Sequence, residues 1–525
     1  MNRTERFAVI ERYLAALWQL GNIGVDGAPL RGALRQGALD LWMASNTRES
    51  SLWNDDTLPD QIRMLMNGDM QGGETAPRRE STLSGLVSGS RTAAAWLRAL
   101  AHSIPPTAVC LTDADVVFVQ YWPTPPAGAA TPSGADWRSA YFGELPEQLV
   151  ASGVSVGFLH LHADGPVTKP PRVVRDGVRC VSSSKVRHVL VADALSLRAW
   201  WGAIRNWVAT ARRLPTEREL SSQIATDSDL ERLWPWWGKS LRRSVRGSHG
   251  VRAAMLTEMF GSIVRANTST KLWVVAFEGQ GWESCLARQL DSEGRRWLPY
   301  VHTMMRPWDL RARTFLSEYP VTQLAIHGRH DRLELEALGT PMIDVEALRY
   351  QHLAATNQSG DDAMRSSGES TWLIVGGGDC ERSHAELEAL LEVIRRRGVT
   401  KRLVARWHPQ CAVPKGENVS TVQFTTNPLH ELVRHASAAI MVGRAAPLDT
   451  YLAGVPSCYL LGDSGLEMSP IDENIGHHAA HSAEDAIDWL LAAEQQRGFV
   501  APVSEYFIID TQLPRWMPLV KILID

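Results

Sequence analysis

The chain has 525 residues, a formal net charge of −4, 44% hydrophobic residues and 21% charged residues. That length supports two or three domains with ample cores, and the balance is that of a soluble globular protein. The charge gives no reason to expect nucleic acid, and no apolar run is long enough to span a bilayer.

The first residues, Met1-Asn-Arg-Thr-Glu-Arg6, are charged, so no secretory signal is expected. The six cysteines (Cys110, Cys180, Cys285, Cys380, Cys411, Cys458) are far apart and form no CxxC. Neither a zinc site nor a disulfide framework is expected from them, and the cytoplasm is the default compartment. Trp is frequent, with 20 against 10 Phe and 9 Tyr. Its flat face suits sugars, but cores and interfaces use it more often.

Residues 1–105 read as helical. Phe7, Ile10, Tyr13, Leu14, Leu17 and Leu20 recur at spacings of three and four. A second helical pattern covers 30–43, a loop 69–82 and a further helix 90–102. This region is either an independent cap or an extension packed on the neighbouring domain. The period changes at Ala108. Val109-Cys-Leu111, Val116–Trp122, Val154–His160 and His188–Ala192 read as strands, with a Pro/Gly/Ala-rich loop at 125–134 and a helix at 142–152 closed by Gly153. Strand, helix, strand is a βαβ unit.

Two Trp- and Arg-rich helices come next, at 195–213 and 230–246. They either pack on the sheet or lie on an anionic membrane surface; packing is favoured because the lipid-facing stripe is not clean. Strands at Leu272–Phe277, Trp297–His302, Gln323–Ile326 and Met342–Val345 complete an α/β domain over 106–355. A polar linker, 356–370, leads to a second α/β domain, 371–525.

The second domain opens with Trp372-Leu-Ile-Val-Gly-Gly-Gly-Asp-Cys380. Strand, glycine turn and helix is how an α/β domain holds a phosphate. Gly376, Gly377 and Gly378 let backbone N–H groups approach an anion. Later strands end at His408-Pro409 and at Gly443-Arg444-Ala445-Ala446, the latter preceding a helix start at Pro447. His408 can donate to a phosphate, and the 443–449 helix start can hold one.

Two such domains bind ligands between them, at the carboxyl ends of their strands. In the first domain those ends offer Glu278, Gln280, Glu283, His302, Arg306 and His327. Glu278, directly after a buried strand, is placed to act as base or nucleophile. Gln280, Glu283 and His327 are candidate substrate contacts, and His302 and Arg306 candidate cations for a substrate carboxylate or phosphate. No metal site is expected: His477 and His481 have HxxxH spacing but read as surface residues.

Together Asp115–Tyr121, Glu278-Gly-Gln-Gly-Trp-Glu283, Ala325-Ile-His-Gly328, Val345-Glu-Ala-Leu-Arg-Tyr350, Arg406-Trp-His-Pro409 and Gly443–Pro456 resemble a family of bacterial surface carbohydrate biosynthesis proteins. The resemblance covers about 110–490 and leaves 1–105 unexplained. That family resembles the two-Rossmann-domain (GT-B) glycosyltransferases, and the His-Pro motif is similar to that of transferases using CMP-activated ulosonic acids, of the Kdo and sialic acid type. The resemblance implies a GT-B-like fold, two Rossmann-type domains facing a cleft with an N-terminal helical extension. It implies a metal-independent, cofactor-free transferase of surface polysaccharide or lipopolysaccharide biosynthesis, with a nucleotide-sugar donor and a glycan or lipid-linked acceptor. His408 would contact the CMP phosphate, and Asp449 the ribose. Relatives usually place Ser or Thr where Arg444, Ala445 and Ala446 stand. A cytoplasmic place, including the inner-membrane face, fits this reading. Two other classes stay open: a UDP-sugar epimerase on the same fold, and a non-catalytic scaffold of glycan assembly.

Overall fold

Continuous β-branched and aromatic runs become the central strands of a parallel sheet covered on both faces. Val116, Val117, Phe118 and Val119 are fully buried, as are Leu272 to Phe277. The first sheet holds β1 (Val116–Trp122), β2 (Val156–His162), β3 (Val186–Leu190), β4 (Leu272–Phe277), β5 (Trp297–Val301), β6 (Leu324–Ile326) and β7 (Met342–Asp344). Its order is β7-β6-β5-β4-β1-β2-β3, and all neighbours are parallel. The second sheet holds β8 (Thr371–Gly376), β9 (Arg402–Arg406), β10 (Val422–Thr425), β11 (Ala438–Val442), β12 (Ser457–Leu460) and β13 (His477–Ala480), ordered β10-β9-β8-β11-β12-β13 and again parallel.

This computed structural model describes residues 3–25, 27–37, 39–44, 58–67, 82–101, 111, 113–122, 137–162, 172–182, 186–224, 228–319, 321–353, 370–408, 411–416, 418–443, 447–461, 469–471, 476–494, 499 and 503–525. Pro409, Arg444 and Ala445 lie outside the described residues, as do the loop expected at 69–82 apart from Thr82, the loop at 125–134, Val109-Cys110, and the linker apart from Ser370.

The N-terminal region is helical in α1 (Arg3–Asn22), α2 (Leu58–Asn67) and α3 (Thr82–Ala101). The single helix expected over 30–43 is not there. Two pairs of two-residue strands, 24–25 with 28–29 and 35–36 with 39–40, alternate with four-residue helices. Gly27 and Gly37 adopt left-handed φ of 82° and 57°, which breaks a helix and turns the chain. The region is an extension packed on the first domain. Its apolar residues share one core with that domain's helices, and Arg6 pairs with Glu334 at 2.7 Å and Arg35 with Glu318 at 2.6 Å. Tyr13 donates to Gln61, which also accepts from Trp237.

The first domain continues through α4 (Leu145–Ala151), α5 (Leu197–Ala211), α6 (Ser228–Arg246), α7 (Ser248–Ala266) and α8 (Gly281–Ser292). The Trp-rich helices α5 and α6 pack: Trp207, Trp236 and Trp237 are buried, while Trp201 and Leu197 stay exposed. Hydrophobic periodicity does not reveal α7, because its burial runs round nearly its whole circumference and leaves no polar stripe.

The second domain adds α9 (Cys380–Arg396) and α10 (Leu448–Leu452). The chain then returns to the first domain, which corrects the boundary of 371–525. Ile508 donates to the His327 carbonyl and accepts from Ala347, both at 2.8 Å. The last helix, α11 (Trp516–Ile524), buries Trp516, Leu519 and Val520 in the core of the first sheet. Glu346 fixes its start by accepting N–H bonds from Arg515 and Trp516. Met304, Tyr350 and Leu353 join Leu448, Tyr451 and Phe507 in an apolar seam between the domains. His477, expected at the surface, is buried in β13. Cys380 and Cys411, among cysteines from which no disulfide framework was expected, form a disulfide. Sequence spacing missed it because β9 brings residues 31 apart to the same end of the sheet. No described helix is long and apolar enough to cross a membrane.

Candidate functional site

Each sheet begins at its centre, grows to one edge, and then restarts beside its first strand. The order therefore reverses between β1 and β4 in the first sheet and between β8 and β11 in the second. At such a switch point the connections leave in opposite directions and open a crevice at the carboxyl ends of the strands. Glu278 comes directly after β4. The glycines 376–378 end β8, and Gly443 ends β11. Glu278, the glycine turn and Gly443 therefore stand at the two switch points.

In the first domain the turn after β4 is tight. Gly279 has φ +70°, and a Cβ there would stand 2.4 Å from the Ala312 backbone, so only glycine fits. Glu283, in the first turn of α8, holds this loop. Its Oε1 accepts the Glu278 N–H at 3.0 Å and its Oε2 the Gly279 N–H at 2.9 Å. Burial first, and the neighbouring Glu278 charge second, raise its pKa well above the carboxylate range. Glu283 is a loop support, which corrects its assignment as a substrate contact.

Glu278 itself is half-buried. One oxygen accepts from the Gln280 amide, and Gln280 Oε1 accepts from the Tyr121 hydroxyl at 2.7 Å. The other lies 3.1 Å from His302 Nε2, off the line of a good hydrogen bond. Tyr121, Gln280, Glu278 and His302 thus span the ends of β1, β4 and β5. Gln280 orients Glu278. His302 is buried, and that burial lowers its pKa despite the Glu278 charge. Burial thus favours the neutral imidazole over the expected cation. Tyr141 packs its ring 4.7 Å from His302.

Arg306 is half-buried in the turn after β5 and acts electrostatically on Tyr350, whose hydroxyl burial pushes up to about 12. His327 is not at the crevice. It is fully buried, its Nδ1 lies 2.9 Å from Asp331, and the rings of Tyr300, Tyr350 and Phe507 surround it. Its role is structural, which corrects the expected substrate contact.

In the second domain the glycine turn and His408 meet: a Cβ on Gly378 would stand 3.8 Å from the His408 ring. The expected backbone cradle is largely filled by the protein's own groups. The Gly377 N–H donates to Val442 at 2.8 Å, extending the sheet. Gly376 is there for packing, since a Cβ would meet the Trp407 ring at 2.6 Å. Asp379 caps α9 by accepting from the Arg382 N–H. Glu386 accepts the Gly443 N–H at 2.8 Å and pairs with Arg382 at 2.5 Å. The Cys380–Cys411 disulfide ties the start of α9 to the loop after His408.

Asp449, on α10, faces the first domain, with Oδ1 3.5 Å from His352 Nε2. The helix start expected at 443–449 is thus a five-residue helix at the domain seam. Tyr121, Tyr141, Arg349 and His352 were missed in the sequence. The strand-end rule reaches Tyr121, at the end of β1; Tyr141 depends on packing against His302, and Arg349 and His352 on how the 345–352 segment meets the second domain.

No protein-family model matches the chain, and no characterised protein matches its sequence. Among solved structures it is similar to a glycosyltransferase from Rickettsia africae, at 9% identity over 78% of this chain and 99% of that one, with a TM-score of 0.41. It is similar to a UDP-GlcNAc 2-epimerase from Methanocaldococcus jannaschii, at 8% identity over 74% and 97%, with a TM-score of 0.40. The glycosyltransferase SnogD from Streptomyces nogalater matches at 14% identity over 75% and 97%, with a TM-score of 0.32. The fold is GT-B-like. At identities and scores this low, that statement rests on the two parallel sheets and their switch points.

Proposed function

We propose that this protein is a glycosyltransferase that takes a nucleotide-sugar donor in the cleft between its domains. The observation that carries this reading is Glu278. It is a carboxylate at the first sheet's switch point, oriented by Gln280 and set beside His302. Such a group can remove the proton of an acceptor hydroxyl or form a covalent bond to the donor carbon. His408, next to the glycine turn, would contact the donor phosphate, and Asp449 would face the nucleotide ribose across the seam. By resemblance the donor is a CMP-activated ulosonic acid, and the acceptor a glycan or lipid-linked glycan of the cell surface.

The exposed Leu197 and Trp201 support a peripheral place on an anionic membrane, the inner-membrane face of a bacterium under this reading. They share a helix with the exposed Arg198 and Arg205 and with no acidic residue. Calorimetric titration of CMP, CDP, UDP and GDP, followed by donor turnover assays, tests the reading. CMP binding with transfer to an acceptor supports it; UDP-sugar conversion without acceptor replaces it with an epimerase. A second reading has its own support. Glu386 already occupies the Gly443 N–H, as a carboxylate would in a scaffold that no longer holds phosphate. Absence of binding by all four nucleotides decides for that reading.

A further inference from the structure

We propose that Arg349 is an anion-binding residue of the cleft, holding a carboxylate or phosphoryl group of the substrate within reach of Glu278. The proposal rests on the reading of the cleft as the substrate site, and it names the chemistry of what binds there.

The segment around Arg349 is held from all sides. Leu348 donates its N–H to the Tyr300 hydroxyl at 2.9 Å. Its carbonyl lies so close to Gly143 that a Cβ there would stand 2.6 Å away, and Gly143 has φ +51°. Glu346 is bound to Arg515 and Trp516, Ala347 donates to Ile508, and Tyr350 stacks on Phe507 at 4.0 Å. Residues 345–348 and Tyr350 are buried, and Arg349 alone among them is exposed to solvent.

The neighbours of Arg349 in the chain lie at the seam: Tyr350 is buried with Leu448 and Tyr451 of the second domain, and His352 Nε2 lies 3.5 Å from Asp449 Oδ1. Arg349 forms no ion pair and no hydrogen bond among the described residues. Glu278 and Tyr141 of the first domain and Asp449 of the second all act on its charge, and it acts in turn on His302. Arg349 therefore stands where the two domains meet, within electrostatic reach of the proposed catalytic carboxylate.

Burial favours the neutral form of His302 and His327 is committed to the fold, so Arg306 is the expected first-domain cation that stays open beside Arg349. A guanidinium on a rigid turn presents its donors as a fork that fits a carboxylate or phosphate in two parallel bonds. The backbone beneath it is already fixed, so only the side chain has to be ordered when the anion arrives.

The test uses the full chain, as wild type, Arg349→Ala and Arg349→Lys. Calorimetry with CMP, inorganic pyrophosphate and free N-acetylneuraminate is paired with thermal melts. Wild type should bind at least one probe, and Arg349→Ala should weaken it by about tenfold or more, the size of a lost charge-assisted bond. Loss of pyrophosphate and CMP together assigns a phosphoryl group; loss of the sugar acid alone assigns a carboxylate. If the alanine variant does not fold, Arg349→Lys keeps the charge but loses the fork, and should bind more weakly at an unchanged melting temperature. Binding of CMP, pyrophosphate and the sugar acid that neither variant alters overturns the proposal and leaves the transferase reading standing. Anion binding that depends on Arg349, in a protein that binds no nucleotide, upholds the proposal and removes that reading. No binding of any probe to wild type at millimolar concentration overturns the proposal.

Discussion

At the scale of single residues, Glu278 is defined by what holds it. Gln280 fixes one oxygen, Tyr121 fixes Gln280, and Glu283 fixes the backbone beneath. Glu278→Gln keeps the shape and removes the charge, so turnover should fall by about 10²–10⁴ while nucleotide affinity is kept; steady-state kinetics beside a binding titration checks this. Gln280→Ala should lower turnover less, because the carboxylate survives but loses its orientation.

A second residue-scale prediction concerns His160 and His188, stacked with Nε2 and Nδ1 2.9 Å apart. Burial lowers both pKa values, that of His188 to about 3. Below the unfolded value of about 6.5 the unfolded chain binds protons that the native pair refuses. Stability should therefore fall as pH drops from about 6.5 towards 3, by up to about 1.4 kcal/mol per pH unit for each ring. Urea melts at pH 7 and pH 5 measure it, and His160→Phe should flatten the dependence.

Glu278 was legible because a carboxylate after an apolar run is visible in one dimension. The fates of Glu283 and His327 were not. Whether a polar residue after a strand faces the crevice or turns inward depends on Asp331, Phe507 and the loop N–H groups, which lie elsewhere in the chain or in its turn geometry.

At the scale of elements, the strands were legible because parallel strands buried on both faces are continuous apolar runs. Helix α7 was not, since a helix buried all round has no amphipathic period. The 30–43 stretch shows the reverse failure: apolar spacing suggested a helix, and the left-handed Gly37 broke it.

The Cys380–Cys411 bond closes a loop across the start of α9, so reduction or Cys411→Ser should cost about 2–4 kcal/mol and lower the melting temperature. The crossing segment near Tyr506 passes Gly328 so closely that a Cβ would lie 1.7 Å from its carbonyl. Gly328→Ala must push that segment away, at a cost of about 1–3 kcal/mol, and should loosen the return of the chain to the first domain. Hydrogen exchange at 503–508 would report it. On α5, Trp201→Ser should reduce co-sedimentation with anionic vesicles and leave neutral vesicles unaffected.

At the scale of the whole molecule, the two domains share an apolar seam, and the chain returns past it to end in a helix on the first domain. Which residues face each other across the seam, Arg349, His352 and Asp449 above all, was hidden from sequence because it depends on the packing of one domain against the other. The central claim is that the cleft holds a nucleotide-sugar through groups from both domains. The measurement that tests it most directly is calorimetric titration of CMP into wild type, His408→Ala and Asp449→Ala. Saturable binding to wild type, weakened in both variants with their melting temperatures kept, is the predicted result. No saturable binding by CMP, CDP, UDP or GDP, or binding that both variants leave unchanged, would contradict it.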